Sequence, residues 1–203
     1  MSTATDTSLL DITPGFGDQA QGSQRIFRAA LGALSHPGQI QQVHSNAQIP
    51  AGVYVATANV LLALLDQDCT LWLSPSLATH AVAAYLRFHT GCQLVDSPAT
   101  AQFVLAASGA ELPALGTLTP GTEYEPEFGA TCIVQVEALN DNAGWTLRGP
   151  GIRDTQCLAV QGLPSDFVAQ WAACQAHFPQ GVDVLLSAGD RLAGLPRTTR
   201  IED

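Results

Sequence analysis

The apolar pattern changes character along the chain. In the first half, apolar residues recur at helical spacing; in the second, they form short runs between turn residues. A chain patterned this way is expected to fold as an α/β domain, a mixed sheet flanked by helices. The first helix is expected over 22–34, with Phe27, Ala30, Leu31 and Leu34 inward. Ser35-His36-Pro37-Gly38 stops it. A short strand fits 39–45, and Pro50–Leu65 reads as a second helix with Val53, Val60, Leu61 and Leu64 inward. Thr70–Leu73 is a short apolar strand. Ser74-Pro75 then offers a hydroxyl cap and a first-turn proline for a third helix carrying Leu77, Ala81, Ala84, Tyr85 and Phe88, ended by His89-Thr90-Gly91. Phe103–Ala107 is another strand, and 109–129 reads as loop.

The remaining third reads as two hairpins around one helix. Thr131–Ala138 turns at Asn140–Gly144 and returns through Trp145–Arg148. Ser165 or Asp166 caps a helix holding Val168, Trp171, Ala172 and Gln175. Val182–Leu186 and Arg191–Leu195 then pair across Ala188-Gly189-Asp190. Asp183 lies within that last apolar run, where a carboxylate needs an edge position or a partner. Residues 1–20, rich in Ser, Thr, Asp and Gly, are expected to form an N-terminal arm, and 21–203 a single domain. At 203 residues the chain can bury about 70% of its unfolded surface, enough to fold without a disulfide or metal staple.

The chemistry is constrained most by an absence. All 8 basic residues are arginine, and there is no lysine. That excludes a Schiff base with pyridoxal phosphate, a Walker-A lysine and a Ser-x-x-Lys nucleophile pair. The net charge of −10 repels phosphate backbones, so no nucleic-acid partner is expected. Any anion site must be a local cluster of arginines and backbone N–H groups. Charged residues make up 13% of the chain against about 25% in typical domains, which leaves more surface for subunit contacts.

The 5 cysteines are widely spaced, with no Cys-x-x-Cys. This argues against a disulfide framework and a zinc knuckle, and for a reducing, cytoplasmic setting. No basic residue precedes Arg25 and no early apolar block follows, so no signal peptide is expected. Ala51–Leu65, the longest uncharged apolar stretch, is shorter than the roughly 20 residues of a membrane span.

Several motifs have competing readings. Gly15-Phe16-Gly17-Asp18-Gln19-Ala20 has the spacing of a dinucleotide fingerprint but lacks a convincing strand before it, so it reads as loop. No histidine pair has metal-ligand spacing, and no metal is expected. Glu123, Glu125 and Glu127 alternate through Tyr124 and Pro126, which suits either acid/base work or a solvated acidic loop. Arg148 and Arg153 bracket Gly149-Pro150-Gly151, a turn whose N–H groups can nest an anion. Arg87 and His89 close a helix, and Arg197 with Thr198 follows the last apolar run. Arg87, His89, Arg148, Arg153, Arg197 and Thr198 are therefore the anion-binding candidates; no catalytic residue is assigned.

A series of short motifs runs in order along the chain: Ser23-Gln24, Phe27-Arg28, Ser35-His36-Pro37-Gly38, Asp66-Gln67-Asp68, Leu71-Trp72-Leu73-Ser74 and Arg87-Phe88-His89-Thr90. It continues through Gly121-Thr122, Pro126–Thr131, Leu147–Ile152, Phe178–Asp183 and Leu195–Thr199. Together these pieces resemble the PhnH-type subunits of the bacterial carbon–phosphorus lyase system. The resemblance implies a three-layer α/β fold similar to pyridoxal-phosphate-dependent transferases, here without the lysine. It also implies a homodimer and a core complex with PhnG, PhnI and PhnJ subunits. That complex converts ATP and an alkylphosphonate into a ribose 1-alkylphosphonate 5-triphosphate, and a radical lyase step follows on another subunit. The expected role is accessory or scaffolding, with a possible phosphonate or triphosphate ligand. The alternatives are a transferase subunit with its own anion-handling site and an unrelated hydrolase using a histidine and a carboxylate.

Overall fold

The structure is a computed structural model and describes residues 12–202. In chain order the elements are α1 (Gln19–Ser35), β1 (Gln41–Gln42), α2 (Val55–Leu64), β2 (Thr70–Leu73), α3 (His80–Thr90), β3 (Gln93–Leu94) and β4 (Phe103–Ala106). Then come β5 (Thr131–Gln135), β6 (Ala138–Arg148), β7 (Gln156–Gln161), α4 (Phe167–Gln175), β8 (Asp183–Ala188), β9 (Arg191–Leu195) and β10 (Arg200–Glu202). Seven strands form one mixed sheet in the order β1-β9-β8-β5-β4-β2-β3. Its β3, β2, β4, β5 and β8 run parallel to their neighbours; β9 and β1 are added antiparallel.

The apolar runs explain this order. β4, β5 and β8 are almost continuously apolar and carry the buried residues of the sheet centre, as strands covered on both faces must. Successive side chains point to opposite faces, so each strand feeds two cores. Leu105, Ile133 and Leu185 pack with Ile26, Ala30, Val60, Leu61 and Leu86 of α1, α2 and α3. Val104, Cys132, Val134, Val184 and Leu186 pack instead with Leu147, Leu158, Phe167 and Trp171 of β6, β7 and α4. The result is a helical layer, the large sheet, and a third layer made of α4 and a three-stranded antiparallel sheet, β10-β6-β7. Stacked rings tie the third layer together: Trp145 lies 5.8 Å from Phe167, which lies 6.1 Å from Trp171.

Four local expectations change. First, 131–148 is not one hairpin. β5 is a parallel strand at the sheet centre, and β6 is a single long strand of the small sheet, paired with β7. Asn140–Gly144 is a bulge within β6, seen as a register shift between Asn140 and Trp145. Turn-forming residues also form bulges, which is why the two look alike in sequence. Second, α3 starts at His80, not Ser74-Pro75, and is capped by the Thr79 hydroxyl accepting from Val82 N–H. Ser74 is buried and accepts from Ala107 N–H at 3.0 Å, tying β2 to the end of β4.

Third, α1 buries Gly22, Ile26, Ala30 and Ala33, leaving Phe27 and Leu31 about half exposed. A glycine beneath explains the tight seat of this helix. A Cβ on Gly194 of β9 would lie 2.5 Å from the Ala33 carbonyl oxygen, so helix and strand backbones meet directly. Fourth, α1 begins at Gln19, capped by the Asp18 carboxylate at 3.0 Å, so the last two residues of the expected arm are helical. Residues 1–11 of that arm lie outside the described residues. Residues 12–17 drape on the domain through hydrogen bonds between Thr13 Oγ1 and the Gln48 carbonyl and between Gln48 N–H and the Pro14 carbonyl. No strand precedes the Gly15–Gly17 turn among the described residues. α2 is buried on nearly every side, as its all-round apolar sequence requires.

Candidate functional site

The candidate residues fall on opposite faces of the large sheet. Arg87 and His89 belong to the last turn of α3, in the helical layer. His89 Nε2 lies 2.9 Å from the Thr13 carbonyl oxygen, and its ring meets Tyr85 and Phe88 edge-on at 4.6 and 5.0 Å. His89 therefore helps to seat the N-terminal segment. Arg87 is exposed, near the negative end of the helix dipole. Burial raises the pKa of the Tyr85 hydroxyl, which has no hydrogen-bond partner among the described residues.

Arg197 and Thr198 lie in the segment joining β9 to β10, whereas Arg148 ends β6, paired with β10. Arg197 is anchored to Asp183, the first residue of β8. The Asp183 carboxylate accepts from Arg197 N–H at 2.8 Å, from Nε at 3.2 Å and from Nη2 at 2.6 Å. Nη1 of the same guanidinium donates to the Pro126 carbonyl. The two side chains are 13% and 23% exposed, so the pair is largely removed from water. Gly129 makes room for it: a Cβ there would come within 2.8 Å of Nη1. The partner that Asp183 needs is thus Arg197, and the arginine spends its charge on the fold.

Arg148 is held less tightly. Its Nε donates to Glu202 at 2.9 Å, with both side chains about half exposed. It sits opposite Arg200 in the β6–β10 ladder. Arg153 is exposed in the turn between β6 and β7. The Thr199 carbonyl accepts from Trp171 Nε1 at 2.8 Å and from Gln175 Nε2, which fixes the segment against α4.

Beside this segment lies a cleft of about 270 Å³, lined by Pro150, Gln175, Phe178, Arg197, Thr198 and Arg200. Among the described residues, its lining holds no histidine, carboxylate or thiol. It can offer a cation, a hydroxyl and an amide to an anion, but no acid–base pair. Gln175, Phe178 and Arg200 were not among the candidates. The Phe178–Asp183 and Pro196–Arg200 stretches were the signals that could have pointed to them. A larger cavity of about 580 Å³ opens between α4 and the 114–121 segment, lined largely by apolar groups including Leu115, Leu118 and Val182. Burial raises the thiol pKa values of Cys69, Cys92, Cys132 and Cys174, which keeps these groups protonated and weakly nucleophilic. Among the described residues, no group of three or more His, Cys, Asp or Glu side chains could hold a metal ion. No described helix is long and apolar enough to cross a membrane.

Residues 14–202 match the family described as bacterial phosphonate metabolism protein (PhnH). The chain belongs to the PhnH family. It is 35% identical over 187 residues to a Rhizobium meliloti (strain 1021) protein named alpha-D-ribose 1-methylphosphonate 5-triphosphate synthase subunit PhnH, covering 92% of this chain and 94% of that one. It is 34% identical over 183 residues to a Stutzerimonas stutzeri protein named putative C-P lyase subunit protein HtxG, covering 90% of this chain and 87% of that one. The matched span of the PhnH family takes in every strand and helix described above.

Proposed function

We propose that this chain is a cytoplasmic subunit of a carbon–phosphorus lyase core complex in organic phosphonate catabolism. It supports formation of ribose 1-alkylphosphonate 5-triphosphate from ATP and an alkylphosphonate. The observation that carries this reading is the end-to-end likeness to a protein named as a subunit of such a synthase. The role is accessory: the chain assembles as a homodimer with PhnG, PhnI and PhnJ subunits, and the transferase and lyase chemistry proceeds on the assembly. Two features support a subunit without its own reaction centre. No lysine is available for a Schiff base, and the described lining of the cleft beside Thr198 offers no acid–base pair. A kinship of its layered α/β fold with pyridoxal-phosphate-dependent transferases is part of the same reading, without the cofactor. A phosphonate or triphosphate group would lie in that cleft against Arg200 and Thr198. Co-expression with the three other subunits tests this: the chain is expected to co-purify with them and to be inactive alone. Turnover of phosphonate by the isolated chain, or failure to co-purify, overturns it.

A further inference from the structure

The loop between Pro120 and Gly129 is built like a docking element. Its base is closed by a bridge between those two residues, by Gly181 N–H on the Pro120 carbonyl at 2.8 Å, and by Gln180 Nε2 on the Gly121 carbonyl at 3.2 Å. Arg197 grips it through the Pro126 carbonyl. Internally, Glu125 N–H donates to Thr122 Oγ1 at 2.9 Å, and Phe128 N–H to the Glu125 carbonyl at 3.3 Å. Such a loop loses little conformational freedom on binding.

What it displays is unusual for a solvated turn. Tyr124 is 93% exposed, Phe128 more than half exposed, and Phe178 on the adjoining turn likewise. Exposed rigid aromatics are the commonest anchors of protein interfaces. The loop also borders the large apolar cavity, since Pro120, Gln180 and Gly181 line it. Around these apolar groups stand Glu123, Glu125 and Glu127, whose carboxylates pair with no described residue. Alone, they would mark a solvated face; around exposed aromatics and an apolar groove, they select the charge of what binds.

We propose that the 120–129 loop and the groove beside it dock another subunit of the assembly through a surface that carries an apolar side chain flanked by arginine or lysine. The inference rests on the complex-subunit reading above and assigns the face and the chemistry of the contact. A basic partner fits better than a second copy. In a pair of copies joined through this loop, Glu123, Glu125 and Glu127 of both would crowd together and repel, whereas a cationic surface is drawn in; the homodimer proposed above therefore uses another face.

The test is capture of PhnG, PhnI and PhnJ by the full chain, with apparent affinity measured across a range of NaCl concentrations. Wild type is compared with Tyr124→Ala, with the triple variant Glu123→Gln/Glu125→Gln/Glu127→Gln, and with the α1 variant Phe27→Ser/Leu31→Ser. Tyr124→Ala is expected to weaken capture at least about tenfold, as anchor residues do. The triple variant is expected to weaken it and to flatten its salt dependence. The altered loop side chains are exposed, so melting temperatures of the loop variants should match wild type, and the α1 variant, even where it melts lower, should capture normally at a temperature at which it is folded. Wild-type affinity in both loop variants sinks the docking inference and leaves the subunit reading standing. No capture by wild type sinks the subunit reading itself. Loss of self-association in Tyr124→Ala, seen by light scattering of the isolated chain, hands the loop to a second copy and also overturns the proposal.

Discussion

Two arginines of similar sequence standing have different physical lives. Arg197 and Arg148 both sit beside glycine or proline, and both drew attention as anion grips. Arg197 is 13% exposed and locked to a carboxylate that is 23% exposed; Arg148 and Glu202 are 51% and 50% exposed. In the first pair, removing either partner strands a charge away from water. In the second, water replaces whatever is lost. Burial, more than residue type, decides whether an arginine serves the fold or the surface.

That contrast can be broken in four ways. Arg197→Ala should cost the most, about 3 kcal/mol, because it leaves Asp183 uncompensated and frees the 120–129 loop. Urea unfolding measures it, and a loss under about 1 kcal/mol would place the pair with surface bridges. Asp183→Asn keeps the shape but removes charge-assisted acceptors, and should cost about 2 kcal/mol. A double-mutant cycle on the two residues should show clear coupling. Arg148→Ala should cost less than about 1 kcal/mol, and the Arg148–Glu202 coupling should fade as salt rises while the Arg197–Asp183 coupling persists.

The smallest effect concerns pH. Glu111 accepts from Ser76 N–H at 2.9 Å and from the Ser76 hydroxyl, and these bonds hold its carboxyl below its usual 4.5. A lowered carboxylate stabilises the fold above its unfolded pKa, and that support fades as pH falls through the folded value. Wild type should therefore be slightly more stable than Ser76→Ala at pH 6, with the gap closing as pH falls below the usual carboxylate range. A gap unchanged across that range would mean the hydroxyl acts by packing alone.

The parts legible in sequence are those where apolar runs are bounded by strong stops. β2 and the β8–β9 hairpin lie where Thr70–Leu73 and the Ala188-Gly189-Asp190 turn place them. β4 ends one residue short of the expected Ala107. β7 was missed because Gln156–Gln161 offers only a short apolar centre whose partner is far along the chain. The inward face of α1 was misjudged because Phe27 and Leu31 are the larger apolar residues, while the sheet beneath admits only the smaller face. At the candidate site, the need of Asp183 for a partner was legible. That the partner is Arg197, and that Arg87 and His89 lie across the sheet from it, depends on topology that no local pattern encodes.

The contact at Gly194 has a practical corollary. With the Ala33 carbonyl 2.5 Å from where any Cβ would sit, even alanine wedges α1 away from the strand beneath it. A saturation survey should find this position intolerant beside permissive neighbours on the outer surface of that helix. Because helix and strand backbones meet directly there, the outward residues Phe27 and Leu31 ride on a closely seated helix. A spectroscopic label placed at either residue would report the motion of the whole domain, with little contribution from the helix itself.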